Sequence, residues 1–155
     1  MWKIEVTEAL ANPSDQQLRR WTCEFRGRGT IWEHLNRRLD EQGISFDTHP
    51  QVVDLCAGDG SIAALMVERG WSPRQITNID LYETSTPLVD GCNWKYLDLG
   101  ALAWAIECGD SINHEVTRLR HKFNVVTLVQ GFLGEEHEES VVNYFLKPGG
   151  FSFHI

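Results

Sequence analysis

The sequence predicts an α/β domain built on a doubly wound, mainly parallel sheet. Two observations carry this. From residue 51 onward, short apolar runs rich in β-branched residues alternate with stretches of helical periodicity, the pattern of successive βαβ units. The first apolar run also leads straight into a glycine-bearing loop, VVDLCAGDGSIA at 52–63, and then a helix pattern, as at the ligand-bearing end of such sheets.

The elements follow in order. Within 14–42, two helices are expected, separated by Gly27-Arg28-Gly29. Ser14 with Gln17, and Thr30 with Glu33, each have the form of a capping box. Gly43 ends the second helix and Pro50 closes the linker. QVVDL (51–55) is a strand, and SIAALMVERG (61–70) is a helix with apolar residues at 62, 65 and 66 and a stop at Gly70. QITNID (75–80) and NWKYLDL (93–99) read as strands, with ALAWAIEC after them as a short helix. SINHEVTRLRHK (111–122) reads as a helix capped by Asp110 or Ser111, and FNVVTLVQ (123–130) as the plainest strand in the chain. EEHEESVVNYFL (135–146) is a helix whose acidic first turn suits the helix dipole. Lys147-Pro148-Gly149-Gly150 stops it, and GFSFHI is the fifth strand.

Length and composition bound the rest. At 155 residues, with 42% hydrophobic and 23% charged residues, the chain is expected to form a single domain around one sheet. Residues 1–48 would be a helical extension or lid and 49–155 the α/β core. No apolar run approaches the ~20 residues that span a bilayer, and MWKIEVTEAL is too mixed for a signal peptide. Four scattered cysteines without a CxxC suggest reduced thiols and a cytoplasmic protein rather than a metal knuckle. No metal site is expected. A net charge of −8 argues against nucleic acid as a partner. The charge is uneven, however: residues 19–38 hold Arg19, Arg20, Arg26, Arg28, Arg37 and Arg38 against Glu24 and Glu33. This is either a solvated helix face or a basic lip for an anionic acceptor.

Gly58 and Gly60 allow a sharp turn and close approach of the backbone to a ligand, and the helix from Ser61 aims its N–H groups over that turn. Gly58, Gly60 and Ala63, with Asp80 about 20 residues on, also fit the dinucleotide fingerprint. Asp54 decides between the readings. A carboxylate just before the turn is a poor neighbour for a pyrophosphate and a good one for a cation. S-adenosylmethionine carries two cationic groups, a sulfonium and an ammonium.

At this point the sequence resembles the class I S-adenosylmethionine-dependent methyltransferases. That family's first motif has an acid followed by three glycines at alternate positions. Asp54, Gly58 and Gly60 match it, with Ala57 between, and Cys56 stands where the first glycine usually falls. ITNIDLYE is similar to the second motif, whose acid, here Asp80 followed by Leu81, holds the ribose hydroxyls. WKYLDLG is similar to the third, which would bring Asp98 and Leu99 to the adenine. FNVVTLVQG stands at the fourth strand, with Gln130 and Gly131 beside the methyl donor, and LKPGGFSF is similar to the loop before the fifth strand. The resemblance covers about residues 50–155 and implies the Rossmann-like methyltransferase fold, with S-adenosyl-L-methionine as cofactor and S-adenosyl-L-homocysteine as product.

Each of these residues also has a plainer role open to it: Asp54 as a loop cap, Asp80 and Asp98 as turn residues, Cys56 as small packing, Tyr82 as either an adenine neighbour or packing. His137, Glu135 and Glu136 are the candidates for a base, or else a charged first helical turn. Trp21, Phe25 and Trp32, with Arg20, Arg26 or Arg28, would line an acceptor site or dock the N-terminal helices. The expected acceptor is a small molecule. No Asn/Asp-Pro-Pro-aromatic tetrapeptide follows the fourth strand, which argues against amino-methylation of DNA.

The family's chains usually continue past the fifth strand with a helix and an antiparallel pair, and this sequence reaches Ile155 directly after GFSFHI. The sheet would then lack the usual last two strands and expose the fifth-strand edge. Three things could account for that edge: cover by Trp2–Val6, which alternates like a strand; a homo-oligomer or partner chain; or truncation. A non-catalytic, partner-completed subunit is therefore the alternative to an enzyme. A nicotinamide oxidoreductase fragment is the third reading, disfavoured by Asp54.

Overall fold

The computed structural model describes residues 31–84, 86–129 and 135–154. Helix α1 is Ile31–Glu41, β1 Val52–Leu55, α2 Ser61–Glu68, β2 Ile76–Asp80, β3 Asn93–Tyr96, α3 Leu99–Cys108, α4 His114–Thr117, β4 Phe123–Leu128, α5 Glu135–Phe145 and β5 Leu146–His154. A short 3₁₀ turn, Pro73–Gln75, precedes β2. The first expected helix, the Thr30 cap and the Trp2–Val6 strand lie outside the described residues.

All five strands are parallel, in the order β3-β2-β1-β4-β5. This is the Rossmann-like, doubly wound arrangement the alternation predicts. Strand order reverses between β1 and β4, so the crevice for a ligand opens at their carboxyl ends.

Side chains alternate across the sheet and divide the core into two layers. On one face Val52, Ile76, Val125, Phe151 and Phe153 pack beneath α1 and α2, with Trp32, Leu35, Leu39 and Leu65. On the other, Val53, Leu55, Ile79, Val126 and Leu128 meet α3 and α5 through Leu102, Val141 and Phe145. Coverage on both faces explains why β1 and β4 are continuous apolar runs rather than alternating ones. Ile31, Trp32, Leu35 and Leu39 of α1 are buried in the sheet's core, His34 stands against the Phe153 ring and Arg38 lies over Phe151. Arg69 ties α1 to the end of α2 by donating to Asn36 and Asp40 (2.8 and 2.6 Å).

Three local expectations are corrected. The third strand ends at Tyr96 rather than Leu99, because Asp98 turns the chain as the N-cap of α3 by accepting from the Ala101 N–H (3.0 Å). The helix expected over 111–122 shrinks to the single turn of α4, capped by Asn113 rather than by Asp110 or Ser111. Lys147–Gly150 is not a loop before the last strand but a bulged segment within it. Leu146 pairs with Phe123 and Phe151 with Val125, so four residues of β5 are set against Asn124 alone. Between β2 and β3, the described residues of 81–92 form no helix. This strap folds inward instead, burying Leu88 and Val89.

Candidate functional site

The loop after β1 is built from alternate residues with positive φ: Cys56 (56°), Gly58 (60°) and Gly60 (88°). A left-handed residue at every second position coils the backbone into a tight spiral, which is why the pattern calls for glycine there. Cys56 adopts the same conformation with a side chain, a costly state for an L-residue. Backbone bonds lock the spiral, with Ala57 N–H donating to Ile79 O and Gly60 N–H to Ala57 O (3.0 Å each). Ala57 is fully buried, and α2 starts directly on Gly60.

Carboxylates hold two further donors of this turn, the Gly58 and Ser61 N–H groups. Asp80, at the end of β2, accepts from Gly58 N–H through Oδ2 (2.7 Å) and from Leu81 N–H through Oδ1 (2.7 Å). Asp59 accepts from Ser61 N–H at the start of α2 (3.1 Å), and its carbonyl accepts from Leu88 N–H of the strap (2.9 Å). The sequence reading missed Asp59 and Leu88. An acid between two glycines was the signal for the first, whereas nothing local marks the second.

Asp54 lies deeper than a strand-end acid would. It is 1% exposed, on the α1/α2 face, and its Oδ1 accepts from the Thr127 hydroxyl of β4 (2.8 Å). That bond spans β1 and β4, the strands between which the order reverses. Register sets Asn78 of β2 on the other side of Asp54, so a buried polar row, Asn78–Asp54–Thr127, crosses the middle of the sheet. Thr127 and Asn78 were legible only as polar residues within buried strand patterns.

At the β2–β3 side the site opens. Leu81 and Tyr82 are exposed, Tyr82 to 75%, and Tyr96 is the register partner of Asp80 and stacks with Trp94 (centroids 6.5 Å apart, planes at 16°). Leu97 N–H donates to Asp80 O (2.9 Å), bringing the Asp98 turn beside Asp80. Leu99, by contrast, is buried against the α3/α5 layer. Asp54, Cys56, Ala57, Gly58, Gly60, Asp80, Leu81 and Asp98 are thus gathered at the carboxyl ends of β1, β2 and β3. Gln130 and Gly131 lie outside the described residues, as do Trp21, Phe25, Arg20, Arg26 and Arg28. Trp32 is 1% exposed and packs in the core.

The acid–base candidates stand at the start of α5. Glu135 is the first residue of α5 and Glu136 is exposed in the same turn. His137 Nδ1 pairs with Glu107 Oε1 (2.6 Å) in the last turn of α3. Nine residues separate Glu107 from the Asp98 cap, about 13 Å along a helix, so this pairing directs His137 away from the Asp98 end of the site. Among the described residues, no group of three His, Cys, Asp or Glu side chains could hold a metal ion. No helix among them is long and apolar enough to cross a membrane.

No protein-family model matches the chain, and no curated protein sequence does either. Among solved structures it is similar to the crystal structure of a SAM-dependent methyltransferase from Archaeoglobus fulgidus, with 16% identity and a TM-score of 0.46. The match covers 79% of this chain and 52% of that one, so the chain spans about half the length of that protein.

Proposed function

We propose that the chain is an S-adenosylmethionine-dependent methyltransferase acting on a small-molecule acceptor. One observation carries this reading: the glycine-loop N–H donors that a pyrophosphate would need are held by carboxylates, Gly58 by Asp80 and Ser61 by Asp59. With Asp54 buried beneath them, the loop presents negative charge to its ligand. A helix start so arranged disfavours a phosphate and favours a cation. These residues therefore fit a sulfonium and an ammonium better than a dinucleotide. Asp80 keeps a lone pair for ribose hydroxyls beyond the three backbone bonds it accepts, from Gly58, Leu81 and Tyr82, and Leu81, Tyr82 and the Asp98 turn flank it for the adenine.

Bound there, S-adenosylmethionine supplies a methyl group already attached to a good leaving group. The chain's own part is then orientation and exclusion of water. An amine acceptor needs no base. For a hydroxyl or carbon acid, the first turn of α5, with Glu135 and Glu136, is the region that would provide one, His137 being held by Glu107. The arginines of residues 19–38 favour an anionic group on the acceptor.

The second reading is a non-catalytic subunit that binds cofactor or a partner chain. Its support is β5, which forms an edge of the sheet among the described residues and would accept a further strand or partner. Incubation with methyl-labelled S-adenosylmethionine and fractionated small molecules separates the two. Label passing to an acceptor is the expected result. Stoichiometric binding without transfer to any fraction would favour the subunit.

A further inference from the structure

Strands covered on both faces are largely apolar, and here the row Asn78–Asp54–Thr127 sets three buried polar side chains side by side across the central strands. All three side chains are 1% exposed or less. Thr127 is accounted for by its bond to Asp54. Asn78 is not, because neither its side-chain nitrogen nor its oxygen has a hydrogen-bond partner among the described residues. The Cys92 thiol faces the amide, which favours that thiol's ionised form. A thiol, however, is a weak partner for an amide with two donors and an acceptor. The amide nitrogen also lies 3.8 Å from where a Cβ on Gly60 would stand, so it is aimed at the turn from the glycine loop into α2.

A buried amide left this way lowers stability, and an apolar side chain of the same shape would recover the loss. A residue that costs the fold and sits between the buried acid and the last loop glycine has its use in the site. We propose that Asn78 is a positioning residue for ligand binding. Through ordered water, it links the Asp54 carboxylate to the Gly60 turn and holds the loop in the shape the ligand meets. A buried polar site takes such water readily, and a buried carboxylate needs donors on both sides. Thr127 donates to Asp54 Oδ1 from β4, and Asn78 is the register partner of Asp54 on β2. The inference rests on the glycine loop being the ligand site.

The test compares wild type with Asn78→Leu and, in case the larger methyl groups disturb folding, Asn78→Ala. Three quantities are read: the thermal midpoint, the hydrogen exchange of the Gly58, Gly60, Ser61 and Ile62 amides without ligand, and affinity for S-adenosylhomocysteine. Asn78→Leu should melt at or above the wild-type temperature. Its loop amides should nevertheless exchange about tenfold faster, and affinity should fall about tenfold. Asn78→Ala should melt lower because of the cavity it leaves, with the same faster loop exchange. Loop exchange within twofold of wild type in the folded variants would overturn the proposal, whichever way the melting temperature moves. If wild type itself does not bind S-adenosylhomocysteine, the cofactor reading fails, and the exchange comparison still decides the role of Asn78.

Discussion

Cys56 holds a left-handed conformation (φ 56°) that glycine adopts without strain, at a cost of roughly 1–2 kcal/mol for an L-residue. Glycine would remove that cost but forfeit the partial packing of Cys56 on the α3/α5 layer and lose more backbone entropy, about 0.5–1 kcal/mol. Cys56→Gly should therefore raise unfolding stability by up to about 1 kcal/mol in urea titrations, the difference of these two effects. A loss of stability would mean that the side chain's packing outweighs its strain. The other cysteines divide by environment. Burial, with Asp90 nearby, pushes the Cys92 thiol up to about 11 despite the opposing Asn78 amide, whereas Cys108 is exposed. At pH 8 an alkylating reagent should modify Cys108 well before Cys92, as peptide mapping would read, since the thiolate is the reactive form. The raised value also has a stability consequence. Folded Cys92 keeps its proton while the unfolded thiol loses its own, so this contribution is complete below the unfolded pKa of 9.0 and disappears as pH rises to about 11. Equal alkylation of both cysteines at pH 8 would contradict this environment.

At the scale of elements, β5 is the most constrained. A Cβ on Gly150 would stand 2.6 Å from Leu146 Cδ1 and 2.8 Å from the Asn124 carbonyl oxygen. The carbonyl belongs to the partner strand and cannot swing aside. Gly150→Ala should cost about 1–3 kcal/mol of stability, the range for overpacking, and a variant as stable as wild type would show that the bulge gives way. This bulge also shows what the sequence could and could not reveal. Lys-Pro-Gly-Gly carries every local mark of a loop, and only the pairing of Leu146 with Phe123 makes it strand. The helix expected over 111–122 failed for a related reason: its periodicity continues past α4, yet the chain must turn at His121, where φ is 53°, to enter β4. By contrast, α2, β2 and α5 were legible to within a residue or two, because burial and propensity agree there. The glycine loop and Asp80 were readable from spacing. Asn78, Thr127 and Leu88 were not, since their roles come from neighbours on other strands or across the strap.

Over the whole molecule, two layers share one sheet and the site occupies the line where the strand order turns back. Helix α1 belongs to this body. Leu35, fully buried on the α1/α2 face, should cost about 2–5 kcal/mol as Leu35→Ala, read by denaturant unfolding. A lid resting on the surface would lose far less. The strap couples the outer strand to the loop through Leu88 N–H and Asp59 O, so ligand at Asp80 should be felt on both sides of the loop. The central claim is that a loop whose N–H groups are held by Asp80 and Asp59 receives a cationic nucleoside ligand. Calorimetric titration of S-adenosylmethionine and S-adenosylhomocysteine into wild type and Asp80→Ala, with NADH as control, tests it most directly. The account predicts micromolar binding to wild type, its loss in Asp80→Ala, and no heat with NADH. A folded, monodisperse wild type that binds NADH, or binds neither ligand, would contradict it.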